Sequence, residues 1–323
     1  MLITMPVLSL NGMPPVPVAV ATMPAALLVL LAVLVAVLAA LLRPGRTAQL
    51  AGGRGLAGYP EFLAARDGSP DLTRHTLSRR EACFAALEGA PVRSQASIDR
   101  DAYRRNLARR RIEPGLPPRL LWLLATAKSN QAERFGVGFA ELYGRVPAVD
   151  DDPVRVHLHL QETYHTRVLA DAVGLFGLGV QVGPPPFWVR ALIESMVLLP
   201  PRWTLPMVGC SEMVGCVIFR ALRDRGVALF ADEPVISERL GFLYDEILAD
   251  ELSHVGFVAA QLGPRGRALM RRLFRWTGPH MVRQMPELCA LFGRAELARR
   301  FRDFRLDAMV AEFPTTAYAA ALP

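Results

Sequence analysis

The sequence predicts an all-α protein built on a bundle of four long helices, and three observations carry that expectation. Sustained period-two alternation between turn residues, the mark of strands, is absent. From the cluster Pro114, Pro117 and Pro118 to about Phe313, apolar residues recur at helical spacing between glycine and proline stops. One short pattern, E-x-x-H, occurs twice on those stretches, as Glu162-Thr163-Tyr164-His165 and Glu251-Leu252-Ser253-His254. A chain of 323 residues accommodates such a bundle together with further segments.

The elements follow in order. Positions 1–42 carry no Asp, Glu, Lys or Arg, and Ala25 to Leu42 is an unbroken apolar run. After a short segment at 1–23, positions 24–42 are therefore expected to form one transmembrane helix, since roughly 20 apolar residues span the hydrocarbon. A cleaved signal peptide fits poorly, because no Lys or Arg precedes the run and its core is too long. Arg43, Arg46 and Arg54 follow directly, which places the catalytic bulk of this single-pass protein in the cytoplasm. The competing reading is a helix buried against the main domain or in an oligomer such as a homodimer. Residues 43–117 read as a linker and peripheral helices. Pro44 to Tyr59 is rich in Gly and Arg, and modest amphipathic helices are expected near Ser78–Glu88 and Ile98–Arg111.

The main helical domain is expected over 118–313. Helix A runs from near Arg119 to Tyr143, with Gly144 just past its end. Helix B opens at Asp152-Pro153, a capping residue followed by proline at the first helical position, and continues to about Gly177. Pro184-Pro185-Pro186 opens a shorter helix to Leu199, closed by Pro200-Pro201. Helix C covers roughly Leu205 to Arg225. Helix D starts at Glu233-Pro234 and ends near Leu262, with Gly263-Pro264 as its stop. Three extra C-terminal helices, broken near Gly278 and Gly293, complete the chain.

On a helix, residues three apart share a face, so each E-x-x-H aims one carboxylate and one imidazole the same way. Helices A and C each add one lone glutamate among small or apolar residues. Glu133 shares its face with Ser129, Asn130, Gly136, Val137 and Ala140; Glu212 shares its own with Val208, Gly209, Gly215, Cys216 and Phe219. A carboxylate in such surroundings must be paired, protonated or metal-bound, because an unpaired buried charge is very costly. Glu133 precedes Glu162, and Glu212 precedes Glu251, by about one helix, a turn and part of the next. Antiparallel hairpins A–B and C–D then bring four carboxylates and two imidazoles to one level, the ligand set of a dinuclear carboxylate site. Hard oxygens with one imidazole per metal suit iron or manganese, whereas zinc favours fewer ligands.

The candidate metal ligands are therefore Glu133, Glu162, His165, Glu212, Glu251 and His254. Asp250 and Gln161, each just before a ligand glutamate, are candidate partners for the ligand imidazoles. His159, one turn before Glu162, is a further candidate as partner or extra ligand. Glu194 is the alternative to Glu212 from the third helix, on a short helix bracketed by prolines. Glu246 lies off the motif face and reads as a solvated or supporting acid. His157, His75 and His280 carry no supporting pattern, and Arg155 and Arg167 read as helix-surface charges.

The net charge is +7, carried almost wholly by arginine, with Lys128 the only lysine. Clusters such as Arg109-Arg110-Arg111 and Arg271-Arg272 lack aromatic interleaving or zinc-finger spacing, which speaks against nucleic acid. A basic face near anionic headgroups explains the charge more simply. The four cysteines form no C-x-x-C pair, so neither an iron–sulfur cluster of usual spacing nor a disulfide framework is expected.

With these residues in view, the chain resembles the ferritin-like di-iron carboxylate proteins over about positions 118–263. The repeated order of a lone Glu followed by Glu-x-x-His looks most like the p-aminobenzoate N-oxygenase family. Its second copy has that family's Asp before the Glu, as Asp250-Glu251, while the first has Gln161. The resemblance implies a ferritin-like four-helix bundle in which the six ligands hold two iron ions that activate O2. That family carries a further histidine one turn before the last Glu, where this chain has Ile247. The six-ligand set is similar to that of the wider di-iron oxygenases and desaturases. The implied activity is a monooxygenase acting on a small-molecule or lipid-like substrate, by N-oxygenation or hydroxylation. No flavin or nicotinamide fingerprint is apparent, so electrons are expected from an external reductase or ferredoxin. Competing readings are a quinone hydroxylase or acyl desaturase, a membrane-anchored ferroxidase, and a metal-free helical protein whose glutamates pair with arginines.

Overall fold

A computed structural model describes residues 58–71, 73–74, 76–109, 111–144, 153–180, 201–283 and 285–312. The chain divides into two units, 1–47 and 48–323, and the described residues all lie in the second. The expected membrane helix at 24–42, and the expected short helix from Pro184 with Glu194, lie outside the described residues.

Helices dominate what is described. α1 (Tyr59–Asp67) leads into a minimal hairpin, β1 (Pro70–Asp71) and β2 (Thr76–Leu77), then α2 (Ser78–Gly89) and α3 (Arg100–Leu107). The four long helices follow as α4 (Pro118–Gly144), α5 (Pro153–Gly174), α6 (Pro201–Leu229) and α7 (Pro234–Gln261). The chain continues with α8 (Pro264–Val282), α9 (Pro286–Phe292), α10 (Arg294–Asp303) and α11 (Leu306–Glu312). Helices A to D correspond to α4 to α7.

Several boundaries differ from expectation for identifiable reasons. α6 starts at Pro201, which the sequence reading used as a stop; proline is tolerated in a first turn, where its missing N–H has no partner to lose. α8 runs straight through Gly278 because that glycine serves packing rather than termination: a Cβ there would meet the Phe301 ring at 2.6 Å. The break falls after Val282 instead, and among the described residues four helices rather than three follow α7. α1 lies immediately after the stretch read as linker, and the hairpin escaped a strand search because each strand has only two residues. Its register pairs Pro70 with Leu77 and Asp71 with Thr76. The Asp71 carboxylate closes the turn by accepting from the Thr73 and Arg74 amides at 3.0 and 3.1 Å.

The four long helices close a ring: α4 packs on α5, α5 on α7, α7 on α6, and α6 on α4. Buried Trp122 on α4 reaches across, its Nε1 donating to the Leu222 carbonyl on α6 at 2.7 Å. One turn later the Thr126 hydroxyl meets Tyr244 Oη on α7 at 2.8 Å. α8 packs on α6 and α9 on α4, while α1 packs on α5. Among the described residues one helix, 202–229, is long and apolar enough to cross a membrane, but 61% of its apolar stretch is buried inside the protein. That helix carries Glu212 and reads as a core helix of the ring.

Candidate metal centre

The ring places the six predicted ligands in two groups whose donor atoms all lie within 4.8 Å of one another. Glu133, His165 and Glu251 form one group; Glu162, Glu212 and His254 form the other. Each group offers two carboxylates and one imidazole, and each mixes residues from both hairpins. The two imidazoles face one another with ring centroids 5.9 Å apart.

Both imidazoles turn Nδ1 towards the carboxylates. His165 Nδ1 lies 3.2 Å from Glu133 Oε2, 3.6 Å from Glu162 Oε2 and 3.7 Å from Glu251 Oε1. His254 Nδ1 lies 3.0 Å from Glu162 Oε1 and 3.3 Å from Glu212 Oε2. Glu162 therefore extends one oxygen to each imidazole and is shared between the groups. Ile247, one turn before Glu251, is fully buried and apolar.

The outward nitrogens are held by a crossed pair of contacts. His165 Nε2 bonds Asp250 Oδ2 at 3.0 Å, and His254 Nε2 bonds Gln161 Oε1 at 2.9 Å. Each residue preceding a ligand glutamate thus orients the imidazole of the other motif. Gln161 cannot be flipped, because its Nε2 donates to Asp67 Oδ2 at 2.6 Å and a carboxylate only accepts. Its carbonyl must then accept from His254 Nε2–H, and Asp250 likewise accepts from His165 Nε2–H. Held this way, neutral His165 aims an Nδ1 lone pair inward, and His254 would do the same on losing its Nδ1 proton, the tautomer a metal ligand needs.

A third layer comes from the peripheral helices, to which the sequence reading gave no part in the site. Asp67 at the end of α1 also accepts from His157 Nε2 and Arg80 Nε, both at 2.9 Å. Arg80 on α2 donates through Nη2 to Asp250 Oδ1 at 2.6 Å and pairs with Glu246, while Arg66 pairs with the same Asp250 oxygen. Buried His157, read from sequence as lacking support, belongs to this network, and Glu246 takes the supporting place considered for it. No spacing signal links Asp67, Arg66 or Arg80 to helices 90 to 180 positions away. His159 belongs to neither ligand group; it is half-buried, and its carbonyl accepts from Thr163 Oγ1 at 3.1 Å. Arg167 pairs with Glu81 and Glu88 at the surface, as its surface reading expects.

Electrostatics favour a cation at the centre. Glu251 is 3% exposed, and Glu133, Glu162 and Glu212 are 15%, 19% and 17% exposed. Among the described residues none of the four pairs with an arginine; their charged neighbours are the imidazoles and one another. Burial, then the charges of Glu162 and Glu212, hold the Glu133 carboxyl well above the ordinary range. Burial and the other three glutamates do the same to Glu251. Glu251 Oε2 is buried with no hydrogen-bond partner. It lies against Gly215, where a Cβ would stand 2.5 Å from that oxygen, so only glycine leaves the carboxylate its place. An orphaned carboxylate oxygen, a cradle without a side chain and a hard O/N donor set all fit a pair of metal ions.

The same charges set a pH dependence. Burial lowers His165 to about 3. Burial would lower His254 too, but its bonds to Glu162 and Glu212 outweigh that and raise it to about 10. A raised group stabilises the fold fully below its unfolded pKa and loses that contribution as pH climbs through the folded value. His254, ordinarily near 6.5, therefore withdraws stability from metal-free protein as pH rises from 6.5 towards 10. The raised glutamates act in the same sense above 4.5, whereas His165 opposes them only below 6.5. Chelated protein should lose melting temperature between pH 6.5 and 9, and iron-loaded protein should not. Equal slopes for the two forms in a melting series would contradict this.

Comparisons with protein-family models, curated proteins and solved structures give no match for this chain. The functional reading rests on the geometry.

Proposed function

We propose that this protein is a di-iron oxygenase whose α4–α7 ring is a ferritin-like bundle. The observation that carries the reading is the convergence of four glutamates and two imidazoles with Nδ1 turned inward, with no arginine or lysine paired to them among the described residues. Glu133, His165 and Glu251 would hold one iron, and Glu162, Glu212 and His254 the other, with manganese the alternative metal. Bound there, the pair would supply reduction of O2 for oxidising an amine or C–H bond of a small or lipid-like substrate, using electrons from an external reductase or ferredoxin.

The chain's own residues prepare that chemistry. Asp250 and Gln161 hold both imidazoles in the coordinating tautomer, and Asp67 fixes the direction of Gln161. Buried Ile247 presents no further nitrogen, which keeps the set at six ligands and favours hydroxylation alongside N-oxygenation. The apolar run at 24–42 would anchor the protein to a membrane with this domain in the cytoplasm.

Metal analysis of the purified chain tests the reading: about two irons per chain are expected. Oxygen uptake with added reductant should rise when an amine or hydrocarbon substrate is supplied. Uptake that depends only on ferrous iron, with no organic product, would replace the oxygenase with a ferroxidase. A wild-type chain that binds no metal would end both readings.

A further inference from the structure

Many of the described surface arginines are ion-paired. Arg119 meets Asp232, Arg220 meets Glu312, Arg223 meets Asp245, Arg299 and Arg300 share Glu296, and Arg305 meets Asp307. α8 gathers several arginines with no acid near them in sequence. No Asp or Glu occurs from Leu252 to Pro286, yet α8 and the residue after it carry Arg265, Arg267, Arg271, Arg272, Arg275 and Arg283. Arg265, Arg271, Arg272 and Arg275 are exposed and have no ion-pair partner among the described residues.

Helical geometry gathers these charges. At 3.6 residues per turn, Arg265, Arg272, Trp276 and Arg283 fall in one row, with Arg275 on one flank and His280 on the other. The opposite face holds buried Met270, Phe274 and Gly278 against the body of the protein. Trp276, in the middle of the cationic row, is 56% exposed, the second most exposed of the large hydrophobic side chains described. Among the described residues its one ring-to-ring contact is with His280, edge-on at 5.8 Å between centroids.

We propose that this face of α8 docks flat on an anionic lipid surface. Arginines without carboxylate partners complement phosphate headgroups, and a tryptophan among them suits the headgroup level, where its ring is half apolar and half polar. The attachment is independent of the di-iron reading and of the apolar run at 24–42. It would hold the catalytic bundle in a fixed orientation against the bilayer, whatever anchors the chain.

Full-length protein reconstituted with brominated lipids tests the proposal, in neutral phosphatidylcholine vesicles and in vesicles with phosphatidylglycerol added. The Trp276 signal is read as the difference between wild type and Trp276→Phe. Quenching of that signal is expected only with the anionic lipid, and it should fade at high salt. Each arginine near the surface is worth about fivefold in affinity, so Arg265→Glu with Arg272→Glu should weaken the contact by well over ~20-fold. A chain held by the amino-terminal run alone would stay with the vesicles in high salt but give no anionic-lipid-dependent quenching, which would overturn the proposal. Quenching unmoved by the double reversal would overturn it too. So would a double reversal that raises the need for an acidic electron donor and leaves quenching as it was.

Discussion

Glu162→Ala is expected to abolish binding at both metal positions, while Glu212→Ala and Glu133→Ala each spare one. Glu162 is the carboxylate that faces both imidazoles, at 3.0 Å from His254 Nδ1 and 3.6 Å from His165 Nδ1. Glu133 and Glu212 each approach one imidazole only. Iron content per chain should fall from about two to near zero in the first case and to about one in the others. A stability measurement separates this from simple loss of structure. In chelated protein at alkaline pH, where the carboxyl that burial keeps protonated must ionise, Glu251→Gln avoids a charge whose Oε2 has no partner, so the variant should exceed wild type in stability by about 1–3 kcal/mol. That gain corresponds to a rise of several degrees in melting temperature, at roughly 2–4 °C per kcal/mol. The same variant should bind metal poorly. If these carboxylates were structural partners of the imidazoles, every such change would destabilise the protein, and the metal reading would fall.

Asp67→Ala carries the second large effect, although Asp67 is not a proposed ligand. Its carboxylate is 1% exposed and takes four contacts, from His157, Gln161, Arg66 and Arg80. Burial alone would raise its pKa, but the His157 bond and the two guanidiniums outweigh this and hold it below the ordinary carboxylate range. Removing it strands buried polar groups, a loss of about 3–5 kcal/mol for a broken buried ion pair. The sign with pH follows: a depressed carboxyl stabilises above its unfolded pKa, near 3.8, and that contribution fades as pH falls further. The consequence for the site is separate. Without Asp67 the Gln161 amide is free to turn, and His254 loses the acceptor that fixes its inward lone pair. Iron affinity should drop ~10–100-fold, the usual effect of losing a partner behind a ligand. Asp67→Ala combined with Gln161→Leu should bind iron no worse than Gln161→Leu alone, because both act through one hydrogen bond. Additive losses would show that Asp67 acts on the fold and not on His254.

Much of the site was legible in the linear sequence. The two E-x-x-H copies and the lone Glu133 and Glu212 stand on helices whose caps and proline starts mark their ends, and all six meet. Asp250 and Gln161 could be singled out because each sits one residue from a ligand. The imidazole each would serve could not be known, since the crossing depends on how α5 and α7 pack. Asp67 gave no signal, being at the end of a nine-residue helix beyond a Gly- and Arg-rich stretch. The character of α8 was partly legible: Glu296 stands three and four positions before Arg299 and Arg300, while no acid lies near Arg271-Arg272 in sequence, and the fold adds that no distant carboxylate among the described residues reaches them.

The sequence by itself marked out the four long helices and the six candidate ligands on them, because helical periodicity and motif spacing are properties of neighbouring residues. Tertiary structure alone decided the grouping of donors, the shared place of Glu162 and the layer behind the imidazoles. Those depend on contacts between residues tens to hundreds of positions apart, which a local pattern does not encode.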